Sequence, residues 1–470
     1  MAFKEAKLHP SRTINIRRMF FVFLINGLCN GFYNVILQPY LVDFIDSESL
    51  FGLVMTLASL AQILPMLLAA KVSDRIGRKR VYLAGTFLVI PAIILFALAS
   101  HIKVAEPIFL VVIGLMIISM SFGFSDPARS SLVAESSDRE KRASSFSIVN
   151  LALYVTAMVG PIVISILTDR VPLSYYFYGL IGGNVILFIF QLFSLKEPLV
   201  IDGYSPSFFK QFNQSIKAIG ILYYEFVKSL LKFLLMPFVL IYSRIKRDSN
   251  QNKYTESVEH DYDLFRDIFK NPGVKYAIGF FIFDAFIWGL SLNIYNGAVK
   301  YVYGYNESQI AIMQLVLNIS TIVFFIPLTL VSDKLKKNEL LVLSLITGSL
   351  FFTTNIIGHF TDPRYLLYVI LIGWAGLGAS IAFWVPGILS IITDFNPNRR
   401  AEIYGMVTGI KSLGWLPTGF IAGFIIEKTI DQWGLLIPFL ISIILFPFEL
   451  YMAWKFPNNT QNDENKEERN

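Results

Sequence analysis

The chain has 470 residues, 54% of them hydrophobic and only 16% charged, with a mean hydropathy of +0.57. A soluble protein of this size needs far more charge to cover its surface, and its apolar blocks of about 20 residues can cross roughly 30 Å of hydrocarbon. The single Cys29 excludes an intramolecular disulfide framework and a cysteine-rich metal site, and the net charge of +6 lies in short basic loops that do not read as a nucleic-acid surface.

Residues 1–18 are basic (Lys4, Lys7, Arg12, Arg17, Arg18) and lead into Met19–Leu41, which is too long for a signal peptide and reads as a first span. This span holds Asn26, Asn30, Asn34 and Gln38 in steps of four, a slowly drifting stripe on one helix face. Amides in hydrocarbon need partners, so the stripe faces the bundle interior or water and is the candidate solute-contacting wall; bonding between helices is the alternative. Gly27 and Gly31 beside it suit close helix contact.

The second span, Leu50–Ala69, and the third, Val81–Ser100, flank the basic stretch AKVSDRIGRKR, Ala70 to Arg80. Gly77 allows a tight turn there, and Asp74 is suited to a helix N-terminus. Pro107–Phe124, Ser144–Thr168 (with Asn150 and Tyr154) and Ser174–Leu195 complete a first half, 19–195. A long linker, 196–271, contains an apolar stretch from Ser215 to Tyr242 with interspersed Lys217, Glu225, Lys228 and Lys232. A thirteenth span here would invert the second half, so the stretch reads as an amphipathic helix on the membrane surface, broken near Pro237.

The second half, 272–456, repeats the plan with Val274–Val299, Gln309–Val331, Leu340–His359, Tyr365–Ile392, Ile403–Ile426 and Trp433–Trp454. The tail, 457–470, is rich in Asn, Glu and Lys and reads as disordered. Even-numbered loops are basic and odd-numbered loops are not, which places those loops and both termini in the cytoplasm of a multi-pass cell-membrane protein. Asp333-Lys334 and Arg400-Ala401 answer Asp74-Arg75 and Arg142-Ala143 at offsets of 259 and 258. The expected fold is all-α: twelve transmembrane helices in two pseudo-symmetric six-helix bundles.

The stretch after the second span resembles the signature of major facilitator superfamily transporters, Gly-x-x-x-Asp-Arg-x-Gly-Arg-Lys/Arg. Asp74, Arg75, Gly77, Arg78 and Lys79 match it; Ala70 replaces the first Gly, and in the second copy Lys336 replaces the later one. The resemblance covers nearly all of the chain outside the linker and tail. It implies a secondary transporter working by alternating access, a solute site near the midplane between the halves, and a cytoplasmic gate at the five matching residues.

Asp284 in the seventh span is the clearest carboxylate deep in a span, where a charge costs about 2.5–3.5 kcal/mol on insertion scales. Lys411 in the eleventh lies at similar depth, and the resemblance brings these helices together, so the two form a candidate coupling site or structural charge pair. Further candidates for solute contact are Trp288, Asn293, Tyr295, Asn296, Gln314, Asn318 and Trp384, with core packing as the alternative for each. Glu449 reads as near the end of the last span and able to snorkel, which sets it apart from the solute-contact candidates.

The fourth span lacks the Arg of drug–proton antiporters, and Lys196-Glu197-Pro198 is only faintly similar to the segment that follows the sixth span of sugar porters. No phosphate-binding loop, metal site, cofactor site or soluble catalytic constellation is present, so the expected protein is not an enzyme. Its expected partners are a small solute, the bilayer and protons as coupling ion, with no nucleic acid, and it is expected to act as a monomer. Lipid or lysolipid transport by the same fold, and a non-transporting receptor, are the two rival readings.

Overall fold

The computed structural model describes residues 12–101, 107–137, 142–168, 170–197, 272–331, 335–394 and 400–456, with six linker positions between Lys217 and Lys228. Among them, twelve helices are long and apolar enough to span a membrane, from Asn15–Val42 to Leu436–Trp454. They form the expected two bundles of six. Both ends of the described chain lie at one face, called here the terminal face. The rest of the linker and the tail, with Asp333, Lys334 and Pro237, lies outside the described residues.

Several helix ends differ from the sequence reading, and two of them bear on the signature and the cavity. The second helix, Glu48–Ile76, runs through the signature stretch to Gly77, whose φ of 102° suits glycine, and the next helix starts at Arg78. The expected loop is thus one residue long. Asp74 therefore sits in the last turn of a helix and not at an N-terminus. That second role falls to Glu197, whose carboxylate accepts the Arg78 and Lys79 backbone N–H groups at 3.1 and 3.0 Å. The fourth helix, Pro107–Ser136, extends twelve residues past the expected end at Phe124. Its polar end stays helical because its charges are paired, Asp126 with Arg129 at 2.9 Å and Glu135 with the buried Arg78 at 2.5 Å.

Three spans are broken, and two of the breaks meet. The seventh stops at Leu292 and restarts at Tyr295; the eleventh stops at Trp415 and restarts at Thr418, after Pro417. Asn293 Nδ2 donates to Thr418 Oγ1 at 3.2 Å across the two. Irregular backbone at membrane depth survives where protein groups satisfy it. Gln38 does this for the seventh span: its Nε2 donates to Asn293 O at 3.0 Å and its Oε1 accepts Gly297 N–H at 3.0 Å. The third break, at Met158 in the fifth span, stands beside the first span.

Close approach requires glycine at a few crossings. A Cβ on Gly31 would lie 2.1 Å from Ala157 O, within the first half. One on Gly52 would lie 2.2 Å from Gly419 O, where the second and eleventh spans join the halves. In the linker, the Tyr223 hydroxyl donates to Ala84 O at 2.9 Å and its ring stands 6.0 Å from Phe124, while Ile221 and Tyr224 are exposed.

Candidate functional site

At the face opposite the termini the halves are tied together. Asn296 Nδ2 donates to Asn34 O at 3.2 Å, and Gln38 bridges as described. Lys300 Nζ reaches Asp43 at 2.7 Å, Glu307 at 2.9 Å and Pro39 O at 3.2 Å. Glu427 accepts from Ser47 Oγ at 2.6 Å, from Ser49 N at 3.0 Å and from the Ser49 hydroxyl. Tyr301 donates to Ile45 O.

Behind this closure two chambers meet. The larger, about 530 Å³, lies between the halves and extends toward the terminal face, with Asn30, Asn34, Asn150, Tyr154, Asn318 and Tyr404 in its wall. Asp126 and Arg129 line its lower end. The smaller, about 320 Å³, is enclosed by the second half, and its wall includes Asp284, Trp288, Tyr295, Trp374 and Trp415. Gln314, Leu317, Ile381, Trp384 and Lys411 belong to both walls, so the chambers share a partition.

Lys411 stands at that partition. Its Nζ is 3.3 Å from Asp284 Oδ2 and 4.8 Å from the Trp384 ring centroid. The sequence-expected pair is therefore formed. It has a third member that the sequence reading set aside. Glu449 is fully buried, accepts Trp288 Nε1–H at 3.1 Å and neighbours the Asp284 carboxyl. It does not snorkel, because the last helix turns it into the bundle. Two neighbouring buried carboxyl groups disfavour ionising together, so the site holds one ammonium, two carboxyls and a place for a proton.

The other expected residues divide. Asn30, Asn34, Asn150, Tyr154, Trp288, Gln314, Asn318 and Trp384 line one chamber or both. Asn150 Nδ2 is already given to Phe146 O at 2.8 Å, leaving its carbonyl for the cavity. Asn26 lines neither chamber, and its Oδ1 lies 3.5 Å from Asn30 Nδ2. Gln38 and Asn293 line neither and serve the closure. In the signature, the described partners of Arg78 and Lys79 lie within the first half or at the start of the linker: Glu135, Leu192 O, which takes Lys79 Nζ at 2.8 Å, and Glu197. The side chains of Asp74 and Arg75 lie outside the described residues. Asp126 and Arg129 escaped the sequence reading because the expected fourth span ends at Phe124, two residues before the first and five before the second. An i,i+3 acid–base pair just past an apolar run was the available signal.

The major facilitator superfamily family model matches residues 19–416 and 277–470, together nearly the whole chain. The chain belongs to this superfamily. It is 19% identical over 464 residues to multidrug resistance protein 2 of Bacillus subtilis (strain 168), covering 95% of this chain and 98% of that one. Among solved structures it is similar to the xylose transporter XylE of E. coli in a partially occluded inward-open conformation, with a TM-score of 0.64, 13% identity and coverage of 94% and 98%. The human organic anion transporter MFSD10 gives a TM-score of 0.58 at 16% identity, with coverage of 95% and 100%. At these identities the structures establish the fold. The family makes this superfamily member a multi-pass membrane transporter and not an enzyme.

Proposed function

We propose that this superfamily member is a proton-coupled secondary transporter of a small organic solute. The halves rock about the two chambers, and Asp284, Glu449 and Lys411 carry the coupling proton. One observation carries the reading: a lysine at the cavity wall is ion-paired with one of two neighbouring buried carboxyls, behind a face closed by bonds between the halves. Taking up a proton on the carboxyls releases Lys411, and losing it restores the ion pair, so protonation and cavity charge are linked. The basic terminal face belongs in the cytoplasm by the positive-inside pattern, and the conformation is then inward-facing. Residues 196–271 form the cytoplasmic linker between the bundles.

The test is reconstitution into liposomes loaded with a pH-sensitive dye, with sugars, amino acids, organic acids, cationic drugs and lysolipids supplied outside in turn. One solute class is expected to move protons in wild type and to fail to do so in Asp284→Asn. Solute movement without protons would remove the coupling role. Binding without movement would make the protein a receptor.

A further inference from the structure

The cavity wall has a charge preference. Among the described residues, the charged groups lining the larger chamber are Asp126, Arg129 and Lys411. Asp126 is committed to Arg129 at 2.9 Å, and a guanidinium has five N–H donors, of which this bond takes one. Lys411 meets Asp284 at 3.3 Å, longer than the roughly 2.7–2.9 Å of a close charge-assisted bond. Among the described residues of this wall a solute cation would find no uncommitted carboxylate, whereas an anion would find two cations with donors to spare.

The smaller chamber supplies the other half of the specificity. Its rings (Trp288, Tyr295, Trp374, Trp384 and Trp415) form an apolar box beside Lys411. In the same wall, Asn296 is 8% exposed. Its Nδ2 is used on Asn34 O, while its Oδ1 is buried without a hydrogen-bond partner. A buried acceptor is costly to leave unpaired, so this atom is suited to an N–H or O–H on a bound molecule.

We infer that the cargo is an organic anion with a flat apolar body, its carboxylate replacing Asp284 at Lys411 and its ring filling the aromatic chamber with a donor toward Asn296. This rests on the coupled-carrier reading and names its substrate class. One proton from bulk solvent, passed through cavity water, is added to the Asp284–Glu449 pair, Asp284 gives up Lys411, and the carboxylate takes its place. One positive and one negative charge enter together, so the loaded site gains no net charge before the halves rock. The described titratable groups facing the exchange are Asp284 from the seventh span, Lys411 from the eleventh and Glu449 from the twelfth.

The matched probes are indole-3-acetate, indole-3-acetamide and tryptamine, which share one ring and N–H but carry an anionic, a neutral and a cationic group. Buried Cys29, the chain's single cysteine, reports thermal unfolding of the purified full chain through a thiol-reactive dye. A ligand of the native state raises the transition, read at about pH 5.5 and about pH 7.5, where the probe carboxylate remains ionised. Indole-3-acetate is expected to bind about tenfold more tightly than the amide or the amine, and more tightly at the acidic pH. Asp284→Asn should keep the preference and lose its pH dependence. Lys411→Gln should lose the preference. The double variant Asp284→Asn/Lys411→Gln, in which no buried charge is stranded, should lose it too. Equal shifts from all three probes, a larger shift from tryptamine, or no shift from the acid would overturn the inference. Selective acid binding without proton movement in liposomes would instead leave the cargo class standing and remove the coupling reading.

Discussion

Glu449 offers the sharpest single-residue test, because its two possible roles separate by substitution. Glu449→Gln keeps an acceptor for Trp288 Nε1 and removes the ionisable group, so the protein should fold normally and lose pH-driven transport. Glu449→Ala leaves the indole N–H unpaired in a fully buried site and should lower stability by about 1–3 kcal/mol, read as thermal unfolding in detergent. A Gln variant that transports normally would remove Glu449 from the coupling path. Outside the spans, burial pushes the Glu197 carboxyl up to about 7, against the pull of the Arg78 and Lys79 N–H groups. The unfolded chain releases this proton near its ordinary 4.5, so between about 4.5 and 7 the native state holds the extra proton. Its contribution to stability is complete below 4.5 and is lost as pH rises toward 7. Glu197→Gln should flatten that part of the stability profile; an unchanged slope would count against it. Asp284 and Lys411 were legible in the sequence because charges stand out in apolar runs. Glu449 was legible as a charge near the end of the last helix, but its direction was not, since distance from a helix end says nothing about which way the side chain faces.

At the scale of helices, the glycine crossings distinguish packing within a half from packing between halves. Gly31 touches Ala157 within the first half, so Gly31→Ala should destabilise the protein by about 1–3 kcal/mol in either transport state. Gly52 touches Gly419 across the halves near the closed face. Gly52→Ala should weaken that closure selectively, leaving thermal unfolding nearly unchanged. The comparison is made by thiol labelling of Leu292→Cys, at a position lining the smaller chamber, in a Cys29→Ala background. Faster labelling from the closed face is expected with Gly52→Ala and not with Gly31→Ala; equal rates would contradict the distinction. The twelve spans were legible as apolar blocks, and Gly27 and Gly31 as contact residues. The breaks at Asn293 and Pro417 were not, because hydropathy is continuous across them. Gln38 was misjudged for the same reason: its amide faces inward as expected, but toward the free backbone of a broken helix rather than toward solute.

For the whole molecule, the question is what holds this conformation against its alternative. The closed face is tied by two clusters that share no residue: Lys300 with Asp43 and Glu307, and Glu427 with Ser47 and Ser49. Asp43, Ser47 and Ser49 belong to the first half, while Lys300, Glu307 and Glu427 belong to the second, so each cluster must open when the halves rock. Lys300 and Asp43 are partly exposed, at 22% and 49%, which limits what their pairing contributes. Each cluster nevertheless biases one equilibrium between two arrangements of rigid bundles. Lys300→Gln and Glu427→Gln should each speed labelling of Leu292→Cys from the closed face, by about two- to fivefold as expected for solvent-screened contacts. Because the clusters are separate, the double variant should multiply the two factors. A double variant no faster than either single one would mean that one cluster already fails when the other is cut, and the closure would then be a single cooperative contact. If labelling is unchanged in all three, the weight of the closure rests on the buried core of the face, where Gln38 and Asn296 bind the first span to the broken seventh.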